Sequence, residues 1–174
     1  KRKSLKSLTK LCKTSRNGTS TKNLISAITK LGFCVLTIEY ATLRHLQSAL
    51  KYSPNAPRAT MVRFLYDLDE KQRPHPDSGH WAVVSSYAAS RGRIVILDSA
   101  SATKKSYAWS DFRSRWRDYD YKRKKITDGD TQFQLIRKWQ PQLLLVIAKE
   151  PEHLPKFTIE TQKIFVSALL IPRF

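Results

Sequence analysis

Two side chains in this sequence have the types and spacing to do chemistry. His80 lies in Gly79-His80-Trp81-Ala82-Val83-Val84, and Asp98 closes Ile94-Val95-Ile96-Leu97-Asp98. Both segments are apolar and rich in β-branched residues, so both read as strands. Ser90-Arg91-Gly92 between them reads as a tight turn. In a hairpin closed there, residues pair where their numbers sum to about 178–181, which sets Asp98 opposite positions 80 to 83. An even sum brings His80 and Asp98 to one face, and an odd sum puts them on opposite faces. An imidazole beside a carboxylate is the base-and-orienter pair of nucleophilic catalysis. The carboxylate fixes the ring tautomer and stabilises the imidazolium, while the other ring nitrogen takes a proton from a nucleophile. The plainer alternative is a strand-end histidine that only hydrogen-bonds.

The surrounding elements must hold that hairpin. Leu5, Leu8 and Leu11 predict a short helix ending near Thr14, and Ser15-Arg16-Asn17-Gly18 a turn. Thr19 or Ser20 can cap a second helix with Leu24, Ile25, Ile28 and Leu31 inward, stopped by Gly32. Phe33 to Glu39 reads as a strand. Thr42 caps a third helix through Leu50, on which His45 is expected to be exposed. Ala59 to Tyr66 is a further strand, with Val62, Phe64 and Tyr66 alternating. The polar stretch Asp67 to Ser78, which carries His75, is an exposed loop, so His80 should stand at a sheet end. Trp81 and Tyr87 alternate away from His80, toward the core. Ser110 is expected to cap a helix containing Phe112 and Trp116, with Trp116 as its anchor on the sheet. Lys122 to Asp130 reads as a charged loop and Gln142 to Lys149 as a buried strand. Thr158 to Leu170 reads as a helix or a strand pair. Helices first and antiparallel strands after predict an α+β fold with N-terminal helices packed on an antiparallel sheet.

The order His80-Trp81-Ala82-Val83-Val84, Ile96-Leu97-Asp98-Ser99, then Trp109-Ser110-Asp111-Phe112-Arg113-Ser114-Arg115-Trp116 resembles papain-like cysteine peptidases. Within them it is most similar to the bacteriocin-processing, double-glycine-leader type. Gly18-Thr19-Ser20, Leu24, Ala27 and Leu31-Gly32-Phe33 look like a helix of the same family. The resemblance runs over residues 4–149, leaving 150–174 as a C-terminal extension of one peptidase-like domain. It implies a papain-like fold, with His80 as general base and Asp98 as its orienting partner. It also implies a Cys-Gly nucleophile at the start of an earlier helix, preceded by an oxyanion-hole Gln; both would lie upstream of residue 1. Asp98 is followed here by Ser99 where the family has Pro. A similar Gly-His and Leu-Asp arrangement occurs in phytochelatin synthases, which leaves transpeptidation open.

The chain's own cysteines do not fill that role. Cys12 falls late in a basic helix, where the helix dipole disfavours a thiolate, and Cys34 opens a strand and is expected in the core. Two cysteines in no metal-ligand spacing predict no disulfide scaffold, no metal and no cofactor. A length of 174 residues suits one domain, and an apolar share of 41% exceeds that of a disordered tail. No apolar run reaches the roughly 18 residues of a membrane span. The chain opens on Lys1-Arg2-Lys3-Ser4, so a fragment or a processed product is expected. Few cysteines and no visible targeting signal favour the cytoplasm. The net charge of +18 suits an anionic partner, either an acidic peptide substrate or nucleic acid. Arg113 to Lys125 interleaves basic residues with Trp116, Tyr119 and Tyr121, although Asp111, Asp118 and Asp120 interrupt it. Three functions follow: a cysteine peptidase, a silent peptidase-like peptide-binding module, or a basic nucleic-acid-binding domain.

Overall fold

The computed structural model describes residues 4–16, 18–51, 55–71, 73, 78–99, 101–126, 132–157 and 165–170. Positions 120–126, 132–135, 137 and 165–170 are described by their backbone. His75 lies outside the described residues.

The chain begins with α1 (Leu5–Leu11) and α2 (Thr21–Lys30), then β1 (Cys34–Glu39), α3 (Leu43–Leu50) and β2 (Arg58–Leu65). β3 (Gly79–Ala88), β4 (Arg93–Asp98) and β5 (Thr103–Ala108) follow, then α4 (Trp109–Arg115), β6 (Arg117–Ile126) and β7 (Gln132–Pro141). β8 (Leu144–Ala148) and β9 (Phe165–Leu170) complete it. Seven strands form one antiparallel sheet in the order β5-β4-β3-β2-β8-β1-β9. Among the described residues, β6 and β7 pair only with each other, as a separate two-stranded ribbon.

Local chemistry accounts for the helix ends. The Ser20 hydroxyl accepts from the Asn23 amide at the start of α2. Gly32, just past its end, takes φ +81, a left-handed conformation that costs a glycine nothing. The sheet is covered on both faces, not by N-terminal helices alone. Leu46 and Ala49 of α3 and Phe112 of α4 pack with Trp116 on Leu36, Ile38, Val62, Phe64, Ile94, Ile96 and Val146. Leu24, Ile25 and Ile28 of α2 pack with Trp81 against Val35, Leu143 and Leu145 on the other face.

Several sequence expectations are corrected. Lys122 to Ile126 is not loop but part of β6, paired residue by residue with β7; 127–130 lie outside the described residues. Ser110 does not cap α4; the cap position is Ala108, and Trp116 sits just after the helix as its C-cap. There it is fully buried and its indole N–H donates to the Leu143 carbonyl, 2.9 Å away. His45 is buried, not exposed. Its Nδ1 accepts from the Thr42 amide at 2.9 Å, its ring stands edge-on to Phe157, and burial pushes its pKa down. α1 buries none of its residues, and Leu5 is 82% exposed, so the leucine stripe covers no core. Residues 165–170 take the strand alternative and pair with β1.

Candidate functional site

The site depends on how the β3–β4 hairpin accommodates one extra residue. From the turn upward, β3 and β4 pair Ala88 with Arg93, Tyr87 with Ile94 and Ser86 with Val95, an odd sum of 181. Continued, that register would set Asp98 opposite Val83 and turn it away from His80. The register shifts between Val84 and Ser86, so that Val84 pairs with Ile96 and Val83 with Leu97, an even sum of 180. Ser85 is the extra residue of this β-bulge. The bulge moves Tyr87 onto the face it was expected to avoid: Tyr87 packs with Ala82 and Val84 against the core that contains Phe64. Trp81 alternates away as expected, and its indole N–H donates to the Thr19 carbonyl.

On that shared face, His80 Nε2 lies 2.9 Å from Asp98 Oδ1. A carboxylate acceptor selects the Nε2–H tautomer and leaves Nδ1 with its lone pair. Among the described residues no group bonds Nδ1, and the His80 side chain keeps 21% of its surface exposed. Phe64, directly opposite on β2, and Tyr66, just past that strand, hold the ring with centroids 6.0 and 5.0 Å away.

Asp98 is buried and richly bonded. Its Oδ2 accepts from the Tyr66 hydroxyl at 3.1 Å and the Ser101 hydroxyl at 2.6 Å, and pairs with Lys105 Nζ at 2.9 Å. Lys105 comes from β5 and also lies over the Tyr66 ring, 4.3 Å from its centroid. Tyr66 is held in turn by Arg115, whose guanidinium donates to the Tyr66 carbonyl and to Asp111. Sequence reasoning missed Tyr66, Ser101 and Lys105 as partners of Asp98. The alternation of Val62, Phe64 and Tyr66 was a signal for the tyrosine. Lys105 could be placed only through the β4–β5 pairing, which its polar sequence, Thr103-Lys104-Lys105-Ser106, does not announce.

Behind the pair, Gly79 fits against the Asp118 carboxylate so closely that a Cβ there would overlap it. Asp118 forms a buried ion pair with Arg63. Arg63 also donates to the Tyr119 carbonyl and to Gln140 Oε1, and lies over Trp81. This cluster ties the base of the β6–β7 ribbon to the strand end that carries His80.

Among the described residues, neither cysteine is bonded to the pair. Cys34 pairs across β8 with the Arg58 end of β2, whereas His80 pairs with Phe64, six residues along. At about 3.3 Å per residue that is ~20 Å along the strands, before three strand spacings across them. Burial pushes the Cys34 thiol up, and the carboxylates of Glu150 and Glu152 push the same way, against Lys149. Cys12 is the C-cap of α1, and burial pushes its thiol up too. Glu39 ends β1, and Asp67 is exposed after β2; neither joins the site. Trp109 and Trp116 line a separate cavity of 310 Å³ with Ala41, Leu43, Arg113 and Gln142. Among the described residues, no cluster of His, Cys, Asp or Glu could hold a metal ion, and no helix is long and apolar enough to cross a membrane.

These observations define a class by architecture: an α+β protein whose central antiparallel sheet ends in a His–Asp pair over an aromatic floor. No family model matches the chain, and no curated protein matches it. Among solved structures it is similar to the peptidase domain of Streptococcus ComA, a bi-functional ABC transporter involved in a quorum-sensing pathway. The TM-score is 0.53 at 18% identity, over 86% of this chain and 81% of that one. The likeness is one of fold, and the fold is peptidase-like.

Proposed function

We propose that this chain is a papain-like cysteine peptidase domain in which His80 is the general base and Asp98 its orienting partner. The observation that carries the reading is the His80 Nε2–Asp98 Oδ1 contact, with Nδ1 unbonded among the described residues. The nucleophile is a cysteine supplied from outside residues 1–174. Its thiol passes a proton to His80 Nδ1, and the thiolate attacks the peptide carbonyl carbon. The tetrahedral oxyanion collapses as the Nδ1 proton moves to the leaving amine, leaving a thioester. Water then attacks while Nδ1 takes its proton, and the thiol is restored with the carboxylic acid product. Asp98 holds Nε2–H throughout and favours each imidazolium. The excess of positive charge suits an acidic peptide substrate.

The test uses the chain extended N-terminally as its gene encodes it. A thiol-directed epoxide should label one cysteine in that extension, and H80A should abolish the labelling. A native extension that folds but takes no label would overturn the reading. That outcome favours the second one, a peptide-binding module that does not cut.

A further inference from the structure

The β6–β7 ribbon carries a surface that the peptidase reading does not use. Antiparallel partners share a face, so the ten pairs of the ribbon divide its residues into two sets. One set contains Asp118 and Gln140, which are buried against the body, then Asp120 opposite Lys138, and further along Lys122 and Lys124. Both aspartates of the paired segments therefore fall on the inner face; Asp128 and Asp130 belong to the connection outside the described residues. The carboxylates that interrupt the basic run in sequence do not interrupt the outer face.

That outer face takes its cations from Arg117, Arg123 and Lys125 of β6 and Arg137 of β7. Between them in register stand Tyr119 opposite Trp139, Tyr121 opposite Arg137, and Phe133 opposite Lys125. At the base of the ribbon the arrangement is fully described. Trp139 is 40% exposed, its ring centroid lies 4.6 Å from that of Tyr119, and the Arg117 guanidinium sits over it at 5.8 Å. A half-exposed indole braced by a phenol and a guanidinium is a ready stacking surface. Cations repeating along a ribbon between aromatic rings match the backbone charge and base faces of an unpaired strand. An acidic peptide would match the cations alone and leave the aromatics without a purpose.

We propose that the outer face of the β6–β7 ribbon binds single-stranded nucleic acid, with Trp139 and Tyr119 stacking bases and the four cations contacting phosphates. The proposal is independent of the peptidase reading.

The test is fluorescence anisotropy of the intact chain with labelled oligothymidine and oligouridine of about 15 nucleotides. A ribbon variant (Arg117→Gln, Arg123→Gln, Lys125→Gln, Arg137→Gln) is compared with a helix variant of equal charge (Lys6→Gln, Lys10→Gln, Lys22→Gln, Lys30→Gln). The ribbon variant should bind at least about tenfold more weakly, with a log–log salt slope shallower by about 3. The helix variant should change little. Trp139→Ala should weaken oligonucleotide binding by about tenfold and leave binding of polyglutamate unaffected, while Trp139→Phe retains most of the affinity. Equal losses from the ribbon and helix variants would overturn the proposal in favour of diffuse charge. Polyglutamate binding as tightly as the oligonucleotide would overturn it in favour of an acidic peptide.

Discussion

At the scale of single residues, the candidate site is a carboxylate ringed by donors. Asp98 is almost wholly buried, and a buried charge is tolerated only when it is paired and hydrogen-bonded. Tyr66, Ser101, Lys105 and His80 share that duty. Ser101→Ala removes one charge-assisted hydrogen bond and should lower unfolding stability by about 1–3 kcal/mol, read from urea denaturation. His45 offers a second residue-level test. Its folded pKa is depressed by burial, so the neutral ring is the form the fold accepts, and its Nδ1 lone pair is engaged by the Thr42 amide. The unfolded chain therefore binds the proton more readily. The stability held above the ordinary imidazole range is lost as pH falls through it. The melting temperature should fall between pH 7 and pH 5, and His45→Gln, which can still reach back to the helix start, should make that fall smaller.

At the scale of elements, the site depends on how the β3–β4 hairpin accommodates Ser85. Deleting Ser85 removes the bulge together with its extra residue, so Ser86 still meets Val95, Val84 still meets Ile96, and Asp98 stays on the face of His80. The deletion should leave a folded sheet, by circular dichroism, that keeps the His80–Asp98 hydrogen-bonded proton in NMR spectra. Loss of that proton would show that the pairing on the His80 side does not hold by register alone. Gly79 is the other element-level constraint. Gly79→Ala drives a methyl group into the Asp118 carboxylate and should cost about 1–3 kcal/mol of stability. Both hairpin strands were legible in the sequence from alternation and the turn. The parity of their pairing was not, because a bulge adds one residue without changing composition. The same bulge explains why Tyr87 faces the side that simple alternation denied it. The ribbon was missed for a different reason: Lys122 to Lys125 is a run of four cations, and strand propensity depends on a packed face that such a run does not advertise.

At the scale of the molecule, helices on both faces of the sheet bury the central strands, which is why Leu143 to Ala148 reads as a nearly unbroken apolar run. Trp116 closes one of these layers as expected, although from a cap rather than from within a helix. Trp116→Ala should cost about 3–5 kcal/mol through lost packing and an orphaned Leu143 carbonyl. The α+β class and the order of most elements were legible because apolar spacing reports burial. His45 was misjudged because the bond from the Thr42 amide to its Nδ1 and the packing of Phe157 on its ring, which make burial tolerable, are not visible in helical spacing. The ribbon places Asp118 and Asp120 on one face with Lys122, Lys124 and Lys138, and leaves Arg117, Arg123, Lys125 and Arg137 on the other with no carboxylate of the paired segments, which composition alone could not reveal.

The central claim is that Asp98 holds His80 by Nε2 and leaves Nδ1 as the basic nitrogen. Long-range nitrogen–proton NMR of the imidazole, on the intact chain at a pH where the ring is neutral, reads this directly. The account predicts that His80 is the Nε2–H tautomer and that Asp98→Ala leaves a mixture of tautomers. An Nδ1–H tautomer in the unaltered chain, or a spectrum that Asp98→Ala leaves unchanged, would contradict it.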